Sequence, residues 1–325
     1  MGFLENGKWI KNATHKNDKK GAFIRKESQF RNWVTKTGQA GPSGSSGFKA
    51  EQDRYHLYIS LACPWAHRTL IFYHLKNLKN IVSISSVHWY MGENGWTFMK
   101  DSNLVDDPIN KSNYLYEIYI KAITDYSGRV TVPVLWDKET NSIVSNESSE
   151  IIRMFNSEFD EVGANTMNFY PKHLKTKINE INDKVYKNVN NGVYKAGFAT
   201  SQSAYEKAIE PLFNTLNYIE NILGKQKYLA GDILTEADWR LFTTLIRFDS
   251  VYVGHFKCNK KRICDYTNIF NYLCELYQYP SIANTVNMNH IKYHYYLSHK
   301  DINPNGIVPS GPAFDYMIPH NRNNF

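Results

Sequence analysis

The stretch Tyr55-His56-Leu57-Tyr58-Ile59-Ser60-Leu61-Ala62-Cys63-Pro64-Trp65-Ala66-His67-Arg68 decides how this chain is read. Tyr55 to Ser60 is a short β-rich run. Pro64 suits the first turn of a helix, where the hydrogen it lacks would have no partner anyway. Ala66, Leu70, Ile71 and Leu75 then recur at helical spacing. The order is strand, tight turn, helix, with Cys63 at the helix amino terminus. Converging N–H groups and a partial positive charge at such an end stabilise a thiolate, so Cys63 reads as a nucleophile. Arg68 adds positive potential, whereas His67 suits solvent equally well. A buried structural cysteine is the plainer alternative, but it gives no reason for Pro64.

Ile81 to Trp89 is a second strand and completes a β-α-β unit. Met91 to Arg129 is too long for an ordinary connection and reads as an insertion with a short helix around Asn113 to Ile123. Thr131 to Trp136 and Ser142 to Val144 form a hairpin; Pro133 inside it requires either a cis peptide or an edge strand. Asn146 is expected to cap the next helix, with Glu147 and Glu150 in its first turn. Beyond about Phe159 the strand signals fade. Ile178, Ile181 and Val185, then Ile209, Leu212, Leu216, Ile219 and Leu223, follow helical spacing, and Thr235-Glu236-Ala237-Asp238 is a capping box whose Asp238 is structural.

The expected organisation is therefore α/β plus all-α. A partly looped extension over 1–50 contains the Gly41 to Gly47 cluster. An α/β domain over 51–160 carries the insertion at 90–130. An all-helical domain follows over 170–300. Residues 301–325, with Pro304, Pro309, Pro312 and Pro319, form an extended tail on the surface.

Composition narrows the function. A chain of 325 residues with 42% apolar and 14% aromatic residues has ample material for two cores, which excludes disorder over most of its length. The net charge of +7 is dispersed among acidic residues, and the basic clusters Lys16 to Lys20 and Lys257 to Arg262 are short. They read as solvated loops and not as a nucleic-acid surface. Four cysteines are too few for a disulfide-stapled secreted protein, and Cys258, Cys264 and Cys274 lack zinc-site spacing. No apolar run reaches membrane-helix length and the amino terminus has no signal-like core. Met1-Gly2 would invite myristoylation, but Asn6 replaces the expected Ser or Thr. The expectation is a cytoplasmic protein without a metal.

Three residues after Cys63 stands Ala66, so Cys63 has no neighbouring thiol with which to close a disulfide. It must form mixed disulfides with an outside thiol. Glutathione is the abundant cytosolic one. A free strand edge near Val132-Pro133 suits the backbone of that tripeptide; the helix end at Glu147-Ser148 offers N–H groups to its carboxylate and Glu147 to its ammonium group.

These residues resemble the glutathionyl-hydroquinone reductases, the Xi class of glutathione transferases, which are omega-like and cysteine-type. Besides the segment Tyr55 to Phe72, the resemblance runs through Met91-Gly92-Glu93-Asn94-Gly95-Trp96-Thr97-Phe98 and Gly128 to Asp137. It continues through Asn146 to Arg153, Asn191-Gly192-Val193-Tyr194-Lys195-Ala196-Gly197-Phe198-Ala199 and His294-Tyr295-Tyr296-Leu297-Ser298-His299-Lys300. It spans roughly residues 30 to 315. Cys-Pro-x-Ala is shared by several cysteine-type transferases, whereas the Met-Gly-Glu-Asn-Gly-Trp and His-Tyr-Tyr blocks are far more specific. The resemblance implies a thioredoxin-like first domain, a helical second domain and a homodimer formed through the second. It implies that Cys63 removes glutathione from a glutathionyl-hydroquinone and that a second glutathione resolves the mixed disulfide. Trp96, Arg129, Val132, Glu147 and Ser148 would hold glutathione. Tyr194 and one or both of Tyr295 and Tyr296 would contact the hydroquinone oxygens.

Each assignment has a plainer rival. Trp96 could plug a core, Arg129 could be an exposed edge charge, and Tyr194 could be core packing. Tyr295 and Tyr296 face different sides of a helix; the resemblance favours Tyr296. Two other functions use the same residues differently: a general glutathione-dependent thioltransferase or dehydroascorbate reductase, and a non-catalytic scaffold. An intact Cys63-Pro64 speaks against the scaffold.

Overall fold

The computed structural model describes residues 2–11, 17–98 and 106–325. Lys16 of the first basic cluster and residues 99–105 of the insertion lie outside these. The chain groups into two compact units: Met1–Thr14, Glu27–Met167 and Asn287–Lys300 form the first, and His15–Lys26, Asn168–Val286 and Asp301–Phe325 the second.

Residues 1–50 carry more strand than their composition suggests. Strand β1 (Phe3–Glu5) pairs antiparallel with β2 (Lys8–Ile10), and β3 (Trp33–Thr35) pairs parallel with β4 (Gly47–Lys49). Leu4, Trp33, Val34 and Phe48 are buried, so a few apolar anchors hold an otherwise polar segment. The central sheet follows the strand–helix–strand order. It contains β5 (Tyr55–Ile59), which leads through helix α1 (Pro64–Leu75) to β6 (Val82–Ser86). Helix α2 (Leu115–Ala122) lies in the insertion, and β7 (Val134–Asp137), β8 (Ser142–Ser145) and α3 (Ser148–Ser157) follow.

Strand order is β6-β5-β7-β8, with β5 parallel to β6 and antiparallel to β7. All five residues of β5 are buried, as a central strand covered on both faces requires. His56 within it is satisfied by the Ser83 and Ser85 hydroxyls at 2.7 and 2.8 Å. Burial pushes this imidazole down to about 4, which keeps it neutral. Arg54 ties the start of β5 to the end of β7 through Asp137, 2.7 Å away. The Val132–Pro133 peptide is cis, and β7 starts just after Pro133, so the proline costs the ladder no hydrogen bond.

The second unit is helical: α4 (Lys175–Val185), α5 (Gly192–Gly197), α6 (Gln202–Leu223), α7 (Glu236–Arg247) and α8 (Thr267–Gln278). Every residue of α7 is buried. Its capping box forms as expected: Thr235 accepts from the Ala237 N–H, and Asp238 returns to the Thr235 N–H at 2.8 Å. Asp238 also accepts from the Leu229 N–H and the Tyr272 hydroxyl. The tail is anchored and does not merely lie on the surface. Arg322 is fully buried and donates at 2.6 Å to the carbonyl of Leu223, which the end of α6 leaves without a helical partner, and at 2.8 Å to the carbonyl of Gln226 just beyond it.

Helix α9 (Met288–Ser298) lies within the segment expected for the helical domain, yet it groups with the first unit. Ser298 Oγ accepts from the Met91 N–H at 3.0 Å, and Trp89 O lies 2.8 Å from His294 Nδ1. These partners are some 205 positions away in sequence, which no local pattern encodes.

Candidate active site

Cys63 is the N-cap residue of α1, in an extended conformation, with Pro64 at the first helical position. Its side chain makes no capping hydrogen bond. Instead Sγ is directed at the Val132 carbonyl oxygen, 3.6 Å away, and the residue is 8% exposed. The thiol and the segment before β7 are thereby brought together. Burial drives the other thiols the opposite way from a nucleophile: Cys258 is pushed far up, and Cys264 and Cys274 to about 11. Cys258, Cys264 and Cys274 form no disulfide.

Behind Cys63 in α1, His67 is 1% exposed, so it does not face solvent. Arg68 is also buried, its guanidinium lying over the Trp65 ring at 4.6 Å. It reaches electrostatically to the amino end of α3, where it helps to hold Glu147 ionised. There the cap is Glu147 and not Asn146. The Asn146 side chain is spent elsewhere, accepting from the Phe30 N–H and donating to the Tyr119 hydroxyl. Glu147 accepts from the Ser149 N–H at 3.0 Å, the Ser149 hydroxyl at 2.7 Å and the Ser28 hydroxyl at 3.0 Å. Burial alone would raise its carboxyl, but these donors and Arg68 outweigh it and hold the group below the ordinary glutamate value. Ser148, buried, begins the helix.

Trp96 stands just after a turn in which Gly95 has φ +70°; a Cβ there would come within 2.8 Å of the Trp9 ring. Trp9 in turn donates its indole N–H to the Glu93 carbonyl at 2.9 Å. Trp96 is buried and stacks on His294 of α9, ring centroids 4.8 Å apart and planes 20° apart. Arg129 is half-buried, its carbonyl accepting from the Tyr126 hydroxyl at 3.1 Å. Tyr295 and Tyr296 are both buried in the first unit, Tyr295 edge-on to His294 and His299. Tyr194 is half-buried on α5 in the second unit, against Phe198 and Phe256.

Ser28, which bonds Glu147, and His294, which stacks on Trp96, were not singled out from sequence. The signal for His294 was its place in the His-Tyr-Tyr block; Ser28 offered none. Among the described residues no group of three or more His, Cys, Asp or Glu is arranged to hold a metal, and no helix is long and apolar enough to cross a membrane.

Residues 62–158 match the model of the glutathione S-transferase N-terminal domain, and residues 202–273 that of its C-terminal domain. The chain is 55% identical to glutathionyl-hydroquinone reductase YqjG of Escherichia coli, over 99% of this chain and 98% of that one. It is 50% identical to glutathionyl-hydroquinone reductase PcpF of Sphingobium chlorophenolicum, covering 96% and 97%. The glutathione-bound structure of YqjG superposes with a TM-score of 0.92 over 99% of each chain, at 53% identity. The Xi-class transferase of Natrialba magadii gives 0.93 over 100% and 98%, at 46% identity. A thioredoxin-like domain followed by a helical one, an alanine where a second thiol would stand, and relatives this similar over their whole length agree: the chain belongs to the glutathione transferases, and within them to the Xi-class glutathionyl-hydroquinone reductases.

Proposed function

We propose that this protein reduces glutathionyl-hydroquinones to hydroquinones with glutathione, and that Cys63 is its nucleophile. The observation that carries the proposal is the setting of Cys63: Sγ at the uncapped amino end of α1, 3.6 Å from the Val132 carbonyl, with Ala66 where a resolving thiol would stand. The Cys63 thiolate attacks the glutathionyl sulfur of the conjugate. The carbon–sulfur bond breaks, its electron pair returns to the ring, and one proton is delivered to that ring carbon. Cys63 is left in a mixed disulfide. The thiolate of a second glutathione then attacks the glutathionyl sulfur, frees Cys63 and departs as glutathione disulfide. The two electrons that reduce the conjugate thus come from two thiols.

Glutathione is assigned to Trp96, Arg129, Val132, Glu147 and Ser148. The ionised Glu147 supports this reading, since a fixed carboxylate suits the ammonium group of the tripeptide. Tyr194 and Tyr296, with Tyr295 beside it, are assigned to the aromatic leaving group, where a phenol can donate a proton and stack. A homodimer in the cytoplasm is part of the same proposal. The test is turnover with a glutathionyl-hydroquinone and glutathione, following hydroquinone and glutathione disulfide, beside the same assay with dehydroascorbate. Faster turnover of the conjugate, lowered in Tyr296→Phe, supports the reading. A preference for dehydroascorbate overturns it in favour of a general thioltransferase.

A further inference from the structure

The segment preceding the first domain carries a side chain, Arg25, that no sequence motif marks. Residues 17–26 run beside α5: the Thr200 N–H donates to the Gly21 carbonyl at 3.0 Å, Asn17 donates to the Phe198 carbonyl at 2.8 Å, and Phe23 stacks on Phe198. At the end of this segment the guanidinium of Arg25 lies 4.9 Å from the centroid of the Tyr194 ring. Its Nε donates to Asn191 Oδ1 at 2.6 Å. Asn191 is the N-cap residue of α5, and Tyr194 stands three positions on. Residues at that spacing share a helix face, so one planar cation bridges two points of a single face. Such a contact fixes the ring twice over: the cation holds its π-face, and the hydrogen bond holds the cation.

We infer that Arg25 is the positioning residue for Tyr194 and thereby sets the preference for aromatic conjugates over small mixed disulfides. The inference rests on the assignment of Tyr194 to the aromatic leaving group. A ring held on one face by a fixed cation keeps its hydroxyl at one place, and a phenol that must meet a departing hydroquinone oxygen needs that fixity. A small disulfide has no such oxygen and gains nothing from it. The segment before the first domain thus has a catalytic consequence besides its packing.

The test is a double-mutant cycle of Arg25→Met and Tyr194→Phe in the full chain, with Arg25→Lys as a third variant. Each is assayed for kcat/KM on a glutathionyl-hydroquinone and on a small glutathione mixed disulfide. Arg25→Met is expected to lower the conjugate rate about tenfold, in line with loss of a fixed cation–π contact, and to leave the disulfide rate within about twofold. In the Tyr194→Phe background the same change should cost almost nothing further, because Arg25 acts through the hydroxyl that is already missing. Arg25→Lys, which keeps the charge but not the planar bridge, should fall between. Equal losses on both substrates, or losses that add across the cycle, would overturn the role of Arg25 and leave it a packing residue. Conjugate turnover unchanged in Tyr194→Phe alone would instead overturn the assignment of Tyr194, which separates the two failures.

Discussion

Two helix amino termini in this molecule are built oppositely. At the start of α7 every device of a stable helix end is present: Thr235 caps, Asp238 closes the box, and Leu229 and Tyr272 fill the remaining positions of the carboxylate. At the start of α1 the cap position holds Cys63, whose side chain makes no capping bond, followed by a proline. The first end consumes its own polarity to stabilise the fold. The second leaves it open, and in the proposed function it serves a sulfur that becomes an anion. One position in a helix serves either end, and the residue at the cap decides which.

Exchanging chemistry for stability is the sharpest way to break this contrast. Cys63→Ser should lower reduction by at least about a thousandfold, because a hydroxyl there is not ionised and forms no mixed disulfide. Its melting temperature should stay near wild type, since no capping bond is lost. Asp238→Ala should do the reverse. Removing a buried carboxylate that accepts from two backbone N–H groups and a tyrosine should cost about 2–4 kcal/mol in denaturant unfolding. Activity per folded molecule should be retained below the transition.

The amino end of α3 lies between these cases, since Glu147 both caps the helix and is assigned to glutathione. Its carboxyl is held below the ordinary value of 4.5 in the folded protein. A depressed acid contributes stability that is fully present above its unfolded pKa and is lost as pH falls through its folded value. Stability measured downward from about pH 5 should therefore decline through that window more steeply in wild type than in Glu147→Gln. Parallel acid limbs would remove Glu147 from the account. This effect is the smallest of the three, because one partly buried cap is a fraction of the total.

The same contrast governs what could be read from the sequence. Local signals carried far: the run Tyr55 to Leu75 located β5, Cys63 and α1, the hairpin gave β7 and β8, and Thr235 to Asp238 gave the start of α7. Partners distant in the chain were illegible. Strands β1 to β4 are three residues each and pair across loops, so their composition reads as coil. Asn146 looked like a cap because its type favours one, yet Phe30 and Tyr119, which claim its side chain, are distant in sequence. The stack of His294 on Trp96 and the burial of Arg322 arise from tertiary neighbours that no periodicity specifies.

In the proposed function Cys63 carries the glutathionyl group between the two halves of the reaction. That role is tested most directly by mixing the enzyme with one equivalent of a glutathionyl-hydroquinone in the absence of free glutathione, quenching in acid, and taking the intact mass followed by peptide mapping. The expected result is one glutathionyl group on the peptide containing Cys63, one equivalent of free hydroquinone, and loss of the adduct when glutathione is added. Hydroquinone released with no adduct, or an adduct on Cys258, Cys264 or Cys274, would contradict it.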